Sequence, residues 1–176
     1  MNIKDELLNG NNTFAKEIKN NEELKNASLS LYKDGQHPYA LIITCSDSRV
    51  VPELLFDKWL GELFVIRTAG NVINEGELAT IEYAIAHLHI KYIVVLGHTS
   101  CGAIHAAIHK EKGQYLDPIL SRIQLAIKDE CDEYKASKIN AKEQVRYIKD
   151  KFPQYDGEVV SMIYDIKTNK VMSYQI

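Results

Sequence analysis

Leu41-Ile42-Ile43-Thr44-Cys45-Ser46-Asp47-Ser48-Arg49 passes from an apolar run straight into a thiol, a carboxylate and a guanidinium. A continuous β-branched run of this kind suits a strand buried on both faces, so the reactive groups sit at its carboxyl end. A second stretch has the same form. Tyr92-Ile93-Val94-Val95-Leu96-Gly97 is apolar, and His98-Thr99-Ser100-Cys101-Gly102 follows at once. Two such strands, parallel and adjacent, end at the same sheet edge, where open α/β sheets place their binding crevice. The fold class predicted is α/β, a mostly parallel central sheet flanked by helices, with a helical N-terminal arm and a C-terminal hairpin.

Working outward, Leu63-Phe64-Val65-Ile66-Arg67 predicts another buried strand. Thr68-Ala69-Gly70-Asn71 is then a tight loop at the same carboxyl edge. Between these strands Val50 to Phe56 predicts a short helix with Pro52 in its first turn. From about Asn74 to His89 a helix carries Leu78, Ile81, Ala84, Ile85 and Leu88 on one face, making a crossover into the Tyr92 strand. Further helices are expected from Gly102 to about Lys112, from Pro118 to about Lys135 and from Asn140 to about Lys151. Cys131 falls in the charged stretch of the second of these and is expected to be an incidental free thiol. The period changes at the end, where Glu158 to Ile166 and Val171 to Ile176 flank Lys167-Thr168-Asn169-Lys170 as a hairpin. Before the first strand, Met1 to about Lys33 is polar with apolar residues at helical spacing, which predicts two or three short helices. Asn11-Asn12-Thr13 offers a capping start for one of them.

Composition narrows the function. A chain of 176 residues, 45% hydrophobic, suits one domain: residues 1–35 as the helical arm and 36–176 as the α/β core. A net charge of -3 with both signs interspersed gives no cationic surface for nucleic acid or anionic lipid. No uncharged run approaches a membrane span, and Met1 to Leu8 lacks a signal-like apolar region. Three cysteines cannot close a disulfide framework within one chain, so the expected setting is reducing and cytoplasmic.

Cys45, His98 and Cys101 form a ligand set of two thiolates and one imidazole, the borderline-soft combination that favours zinc. Three protein ligands leave a fourth tetrahedral position for water or substrate, which marks a catalytic rather than a structural site. Taken singly, each has a plainer reading: a buried strand-end cysteine is commonly a small hydrophobe, and a lone histidine a satisfied polar residue. Their arrangement together with Asp47 and Arg49 is what points to metal.

Cys45-x-Asp47-Ser48-Arg49 and His98-x-x-Cys101-Gly102, with Ala69-Gly70-Asn71 between them, resemble the β-class carbonic anhydrases from about Pro38 to the C-terminal hairpin. The resemblance implies that Cys45, His98 and Cys101 bind zinc and that Asp47 and Arg49 form a catalytic dyad beside it. It implies reversible hydration of CO2 to bicarbonate and a proton by zinc-bound hydroxide, in a homo-oligomer that is a dimer or a dimer of dimers. In some members the carboxylate matching Asp47 leaves its arginine and becomes a fourth zinc ligand, closing the site. Members that use bicarbonate to favour closure carry a Trp three residues before the first cysteine. This chain has Ile42 there, although Arg67 matches that pocket's arginine. The departure predicts an open site near neutral pH.

Several residues keep two readings. Asp47 and Arg49 orient a nucleophile or form a structural ion pair. Arg67, Gly70 and Asn71 line the crevice or are turn chemistry. His105 and His109, four and eight positions after Cys101, are proton shuttles or ordinary helix histidines. Two rival functions stand beside the main one: hydrolysis of a CO2 analogue such as carbonyl sulfide or carbon disulfide on the same fold, and a non-catalytic zinc-binding module.

Overall fold

The computed structural model describes residues 2–174. The chain folds as two compact units, one ending at His37 and one starting at Pro38. The first holds two helices, α1 (Ile3–Asn20) and α2 (Glu22–Asp34), neither of which buries a residue. Asn2 caps α1 by accepting from the Asp5 amide at 3.0 Å, and Asn21 caps α2 by accepting from the Glu23 and Leu24 amides. The expected start at Asn11-Asn12-Thr13 is not used: these residues lie inside α1, where the Thr13 hydroxyl donates to the Asn9 carbonyl at 3.1 Å. A cap is needed only where amides lack an intrahelical acceptor, and Asn2 and Asn21 fill those places.

In the second unit the elements run β1 (Ala40–Cys45), α3 (Pro52–Leu55), β2 (Leu63–Thr68), α4 (Glu75–Ala86), β3 (Tyr92–His98), α5 (Gly102–Ile108), α6 (Asp117–Ile127), α7 (Glu133–Lys151), β4 (Glu158–Asp165) and β5 (Lys170–Tyr174). The strands form one sheet in the order β2-β1-β3-β4-β5. All neighbours are parallel except β4 and β5, which close the predicted hairpin. Gln175 and Ile176, expected to continue its second strand, lie outside the described residues.

Every residue of β1 is buried, and its register with β3 pairs Thr44 with Leu96. Cys45 and His98, just beyond that pair, therefore reach the same edge. From β1 the chain goes first to β2 on one side and then back across β1 to β3 on the other. That reversal in strand order is the topological switch point where the crevice opens. β2 is less buried than expected: only Ile66 is fully covered, because no strand pairs with its far side among the described residues.

The core on one face of the sheet joins Leu41, Ile43, Val95 and Ile163 to Ile81 and Ala84 of α4 and to Ala141, Val145 and Ile148 of α7. α7 comes so close to β3 that a Cβ on Gly97 would lie 2.8 Å from Ile163 Cδ1 and 3.4 Å from the Ser137 carbonyl oxygen. Three helix boundaries differ from expectation. α5 ends at Ile108 because Lys110 takes a left-handed φ of 54° and the Glu111 amide turns back to the Ala106 carbonyl. α6 ends at Ile127, where Lys128 has φ 55°, and α7 starts at Glu133 rather than Asn140, with Asp132 accepting from the Lys135 amide at 2.9 Å. Cys131 thus sits in an exposed loop rather than a helix, its thiol 3.4 Å from the Asp129 carbonyl.

Candidate metal centre

β1 ends on Cys45, β3 ends on His98, and Cys101 is the residue that opens α5, so three elements each contribute one side chain to one point. Their ligand atoms all lie within 4.8 Å of one another, and all three residues are buried. The two sulfurs are 3.9 Å apart. Two sulfurs on a single tetrahedral zinc, each at about 2.3 Å, are separated by about 3.8 Å.

His98 gives an independent test of fit. Its Nδ1 donates to the Thr99 carbonyl at 2.9 Å, which fixes the tautomer and leaves a lone pair on Nε2. That Nε2 is buried without a protein partner. An unsatisfied buried acceptor costs about 1–3 kcal/mol. A cation among the three ligands removes that cost, and a backbone carbonyl on Nδ1 is the usual companion of a metal-bound imidazole. The cysteines are matched to the same purpose. Cys45 is lowered to about 4, first by the hydrogen bond from the Cys101 thiol and further by the backbone amides of Asp47 and Gly70, against the opposing effect of burial. Cys101 is raised, because it supplies the proton that the pair shares and is itself buried. A divalent cation displaces that shared proton and makes both sulfurs thiolates.

Beside the ligands, the Arg49 guanidinium grips Asp47 in a fork, Nε to Oδ1 at 2.9 Å and Nη2 to Oδ2 at 2.6 Å. The Arg49 amide also donates to Oδ1 at 2.9 Å. These bonds hold the Asp47 carboxyl well below the usual carboxylate range. Asp47 Oδ2 lies 4.0 Å from His98 Nε2, at the rim of the ligand triangle. Arg49 is tied down in turn, its Nη2 donating to the Ser100 carbonyl at 3.2 Å, which links the β1 loop to the loop after β3.

Of the residues with two readings, Arg67 and Gly70 touch the site, and Asn71 lies in the turn beside Gly70 with its side-chain Nδ2 buried and without a partner among the described residues. Arg67 donates from Nη2 to the Asp47 carbonyl at 2.8 Å and from Nε toward the Cys45 carbonyl at 3.4 Å, holding the backbone of the reactive loop. Gly70 points its amide at Cys45 Sγ, 3.4 Å away. Asn71 is buried with a left-handed φ of 50°. His105 and His109 project from the exposed side of α5, His105 bonded to Glu133 at 2.7 Å.

Sequence reasoning missed the second layer. Asn140 of α7 donates to the Gly70 carbonyl at 2.9 Å, and Gln144, one turn on, receives the Ile73 amide at 3.0 Å and donates to Asn140. Both are buried. Their signal is present in the sequence: polar residues four apart in a row with Ala136, Ala141 and Val145, on a helix face whose other buried residues are apolar except Ser137.

An open sheet of this order, with a thiolate–imidazole–thiolate group able to hold a metal at its switch point, defines a metal-site α/β protein. The carbonic anhydrase family model matches residues 40–172, well over half of the chain. The chain therefore belongs to the carbonic anhydrase family, and to its β class. A carbonic anhydrase of Helicobacter pylori strain J99 is 31% identical over 184 aligned positions, covering 87% of this chain and 83% of that protein. Carbonic anhydrase 2 of Mycobacterium tuberculosis is 55% identical over 74 residues, a match that spans 42% of this chain and only 36% of the relative's length. Among solved structures, the β-carbonic anhydrase CafA of Aspergillus fumigatus superposes with a TM-score of 0.85 at 25% identity, covering 99% of this chain and 91% of that one. A tetrameric β-carbonic anhydrase of Sordaria macrospora gives 0.82 at 25% identity, covering 100% and 98%.

Proposed function

We propose that the chain is a zinc-dependent carbonic anhydrase that hydrates CO2 reversibly to bicarbonate and a proton, with Cys45, His98 and Cys101 as the zinc ligands. The observation that carries this reading is the convergence of those three ligand atoms beside a carboxylate that a guanidinium holds ionised. Zinc, when bound, supplies the Lewis acidity that makes water a nucleophile near neutral pH. The protein does the rest. Asp47, ionised by Arg49 and at the rim of the ligands, accepts a hydrogen bond from the attacking water, turns its lone pair toward CO2 and takes up the released proton in passing. Arg49 keeps that carboxylate charged and in place through the bidentate fork. Arg67 and Gly70 position the Cys45–Asp47 loop from behind.

The grip of Arg49 on Asp47 supports the open form, in which the carboxylate does not occupy the fourth metal position. Homo-oligomerisation is part of the same proposal, supported by the tetrameric Sordaria relative. A cytoplasmic setting is supported by three free cysteines, and no helix among the described residues is long and apolar enough to cross a membrane.

Metal analysis and a stopped-flow pH-indicator assay of CO2 hydration on the parent and Cys45→Ser test this reading together. We expect one zinc per chain and rapid hydration in the parent, with both lost in the variant. Zinc-loaded parent protein at background rate across neutral and alkaline pH contradicts it, and favours the analogue hydrolase or the non-catalytic module.

A further inference from the structure

Two exposed histidines, His105 and His109, follow Cys101 on α5 and at its end. His105 and His109 are four residues apart, so they stand one above the other on the helix surface. Their ring centroids are 4.1 Å apart and the planes are inclined by 30°. His105 Nδ1 donates to Glu133 Oε1 at 2.7 Å, and His109 Nδ1 donates to the His105 carbonyl at 2.8 Å. A carboxylate and a carbonyl only accept, so each ring carries a proton on Nδ1, and the neutral form of each ring has its lone pair on Nε2. Neither Nε2 has a hydrogen-bond partner among the described residues.

We infer that His105 and His109 form a two-nitrogen chelate for a divalent transition ion such as Zn²⁺, Ni²⁺ or Cu²⁺, separate from the cysteine-bearing centre. Imidazole nitrogen suits these ions, with affinities rising toward copper. Two nitrogens on one tetrahedral ion at about 2.0–2.1 Å stand about 3.3 Å apart, a spacing comparable with the 4.1 Å between the two ring centroids. The companions of the rings are those of metal-bound histidines, a carboxylate on one Nδ1 and a backbone carbonyl on the other. The His105 side chain is 52% exposed, which leaves the ion's remaining positions to water. Glu133 is the first residue of α7, so a cation here braces the helix that Cys101 opens against the start of the helix that carries Asn140. Glu133 acts as a positioning residue, through His105.

The test is a calorimetric Ni²⁺ titration of the protein as purified, with zinc content measured before and after. We expect uptake of one Ni²⁺ per chain with no loss of resident metal. His105→Asn and His109→Asn each weaken that binding tenfold or more, and Glu133→Gln, which leaves both rings in place, weakens it by about 10–100-fold. His87→Asn, an exposed histidine at the end of α4, leaves it unchanged. Circular dichroism confirms that each variant is folded. Parental Ni²⁺ affinity in both His105→Asn and His109→Asn, uptake only by displacement of zinc, or no uptake at all overturns the inference. Since the readout is Ni²⁺ binding rather than CO2 hydration, failure here is distinct from failure of the proposed activity.

Discussion

Replacing Gly70 with alanine tests how the second layer holds the first. Gly70 has φ 64° and ψ 21°, in the left-handed region, where a residue with a Cβ loses roughly 1–2 kcal/mol. The added Cβ lies 2.9 Å from Ile123 Cδ1 and 3.1 Å from Ala103 Cβ. The Ile123 contact is a flexible side-chain tip, but the residue is fully buried in the cluster around Cys45 and Cys101, and Ala103 is fixed on α5. Overpacking of this kind costs roughly 1–3 kcal/mol. Together the two effects come to about 2–5 kcal/mol, a large share of the roughly 5–15 kcal/mol that holds an ordinary domain folded. Relief of the clash moves the Gly70 amide off Cys45 Sγ and its carbonyl off Asn140, so metal retention falls along with stability. Urea unfolding should show a lower midpoint at unchanged slope, and a chelator should strip the metal faster than from the parent. Gly76→Ala is the control: it lies in the first turn of α4 with nothing within 4 Å of its added Cβ, and helix propensity predicts a gain of up to about 1 kcal/mol. A parental unfolding midpoint for Gly70→Ala would refute the reasoning.

Other outcomes follow from the same contacts. Asp47→Ala should keep the metal while kcat/KM falls by about 10²–10⁴-fold; loss of metal in that variant would make the carboxylate a ligand instead. Arg49→Ala should lower the unfolding midpoint at pH 7, and the deficit should shrink as the pH falls. The reason is that Asp47's carboxyl is lowered by Arg49, so its contribution is present above the ordinary value of about 3.9 and lost as the pH drops through the depressed one. A deficit that does not change between pH 7 and pH 3 would count against the pair. Chelation of the metal should lower the thermal midpoint, since His98 Nε2 is left buried and unpaired, and added zinc should restore it. Asn140→Ala leaves the Gly70 carbonyl without this donor and should cost about 1–3 kcal/mol in urea unfolding, with hydration of CO2 falling only as far as metal is lost.

The two ligand strands are legible in the sequence because their information is local. An apolar run fixes a strand, the strand fixes the edge, and the residue after the run is placed with it. The hairpin and the α4 crossover, with Ile81 and Ala84 inward, follow from period in the same way. What escapes a sequence reading is set by backbone conformation at residues that carry no mark. Lys128 takes a positive φ and stops α6 with neither glycine nor proline to announce it, and the charged residues after it continue the amphipathic pattern. The pattern therefore places the start of α7 at Asn140, seven residues later than the Glu133 at which the helix begins.

That one boundary conceals the second layer. A polar residue at a helix start reads as a cap, because free amides there need an acceptor. Seven residues into α7 the same asparagine has no such duty, and a buried amide side chain then requires a partner elsewhere. Its partner is the carbonyl of Gly70, 70 residues back along the chain, on the loop whose amide faces Cys45. The candidate ligands are a property of two strand ends and the start of α5, but the anchoring of the loop behind Cys45 is a property of α7's starting point. A one-residue shift of that start turns the helix by about 100°, carrying Asn140 away from Gly70 and leaving the loop behind Cys45 without its anchor on α7.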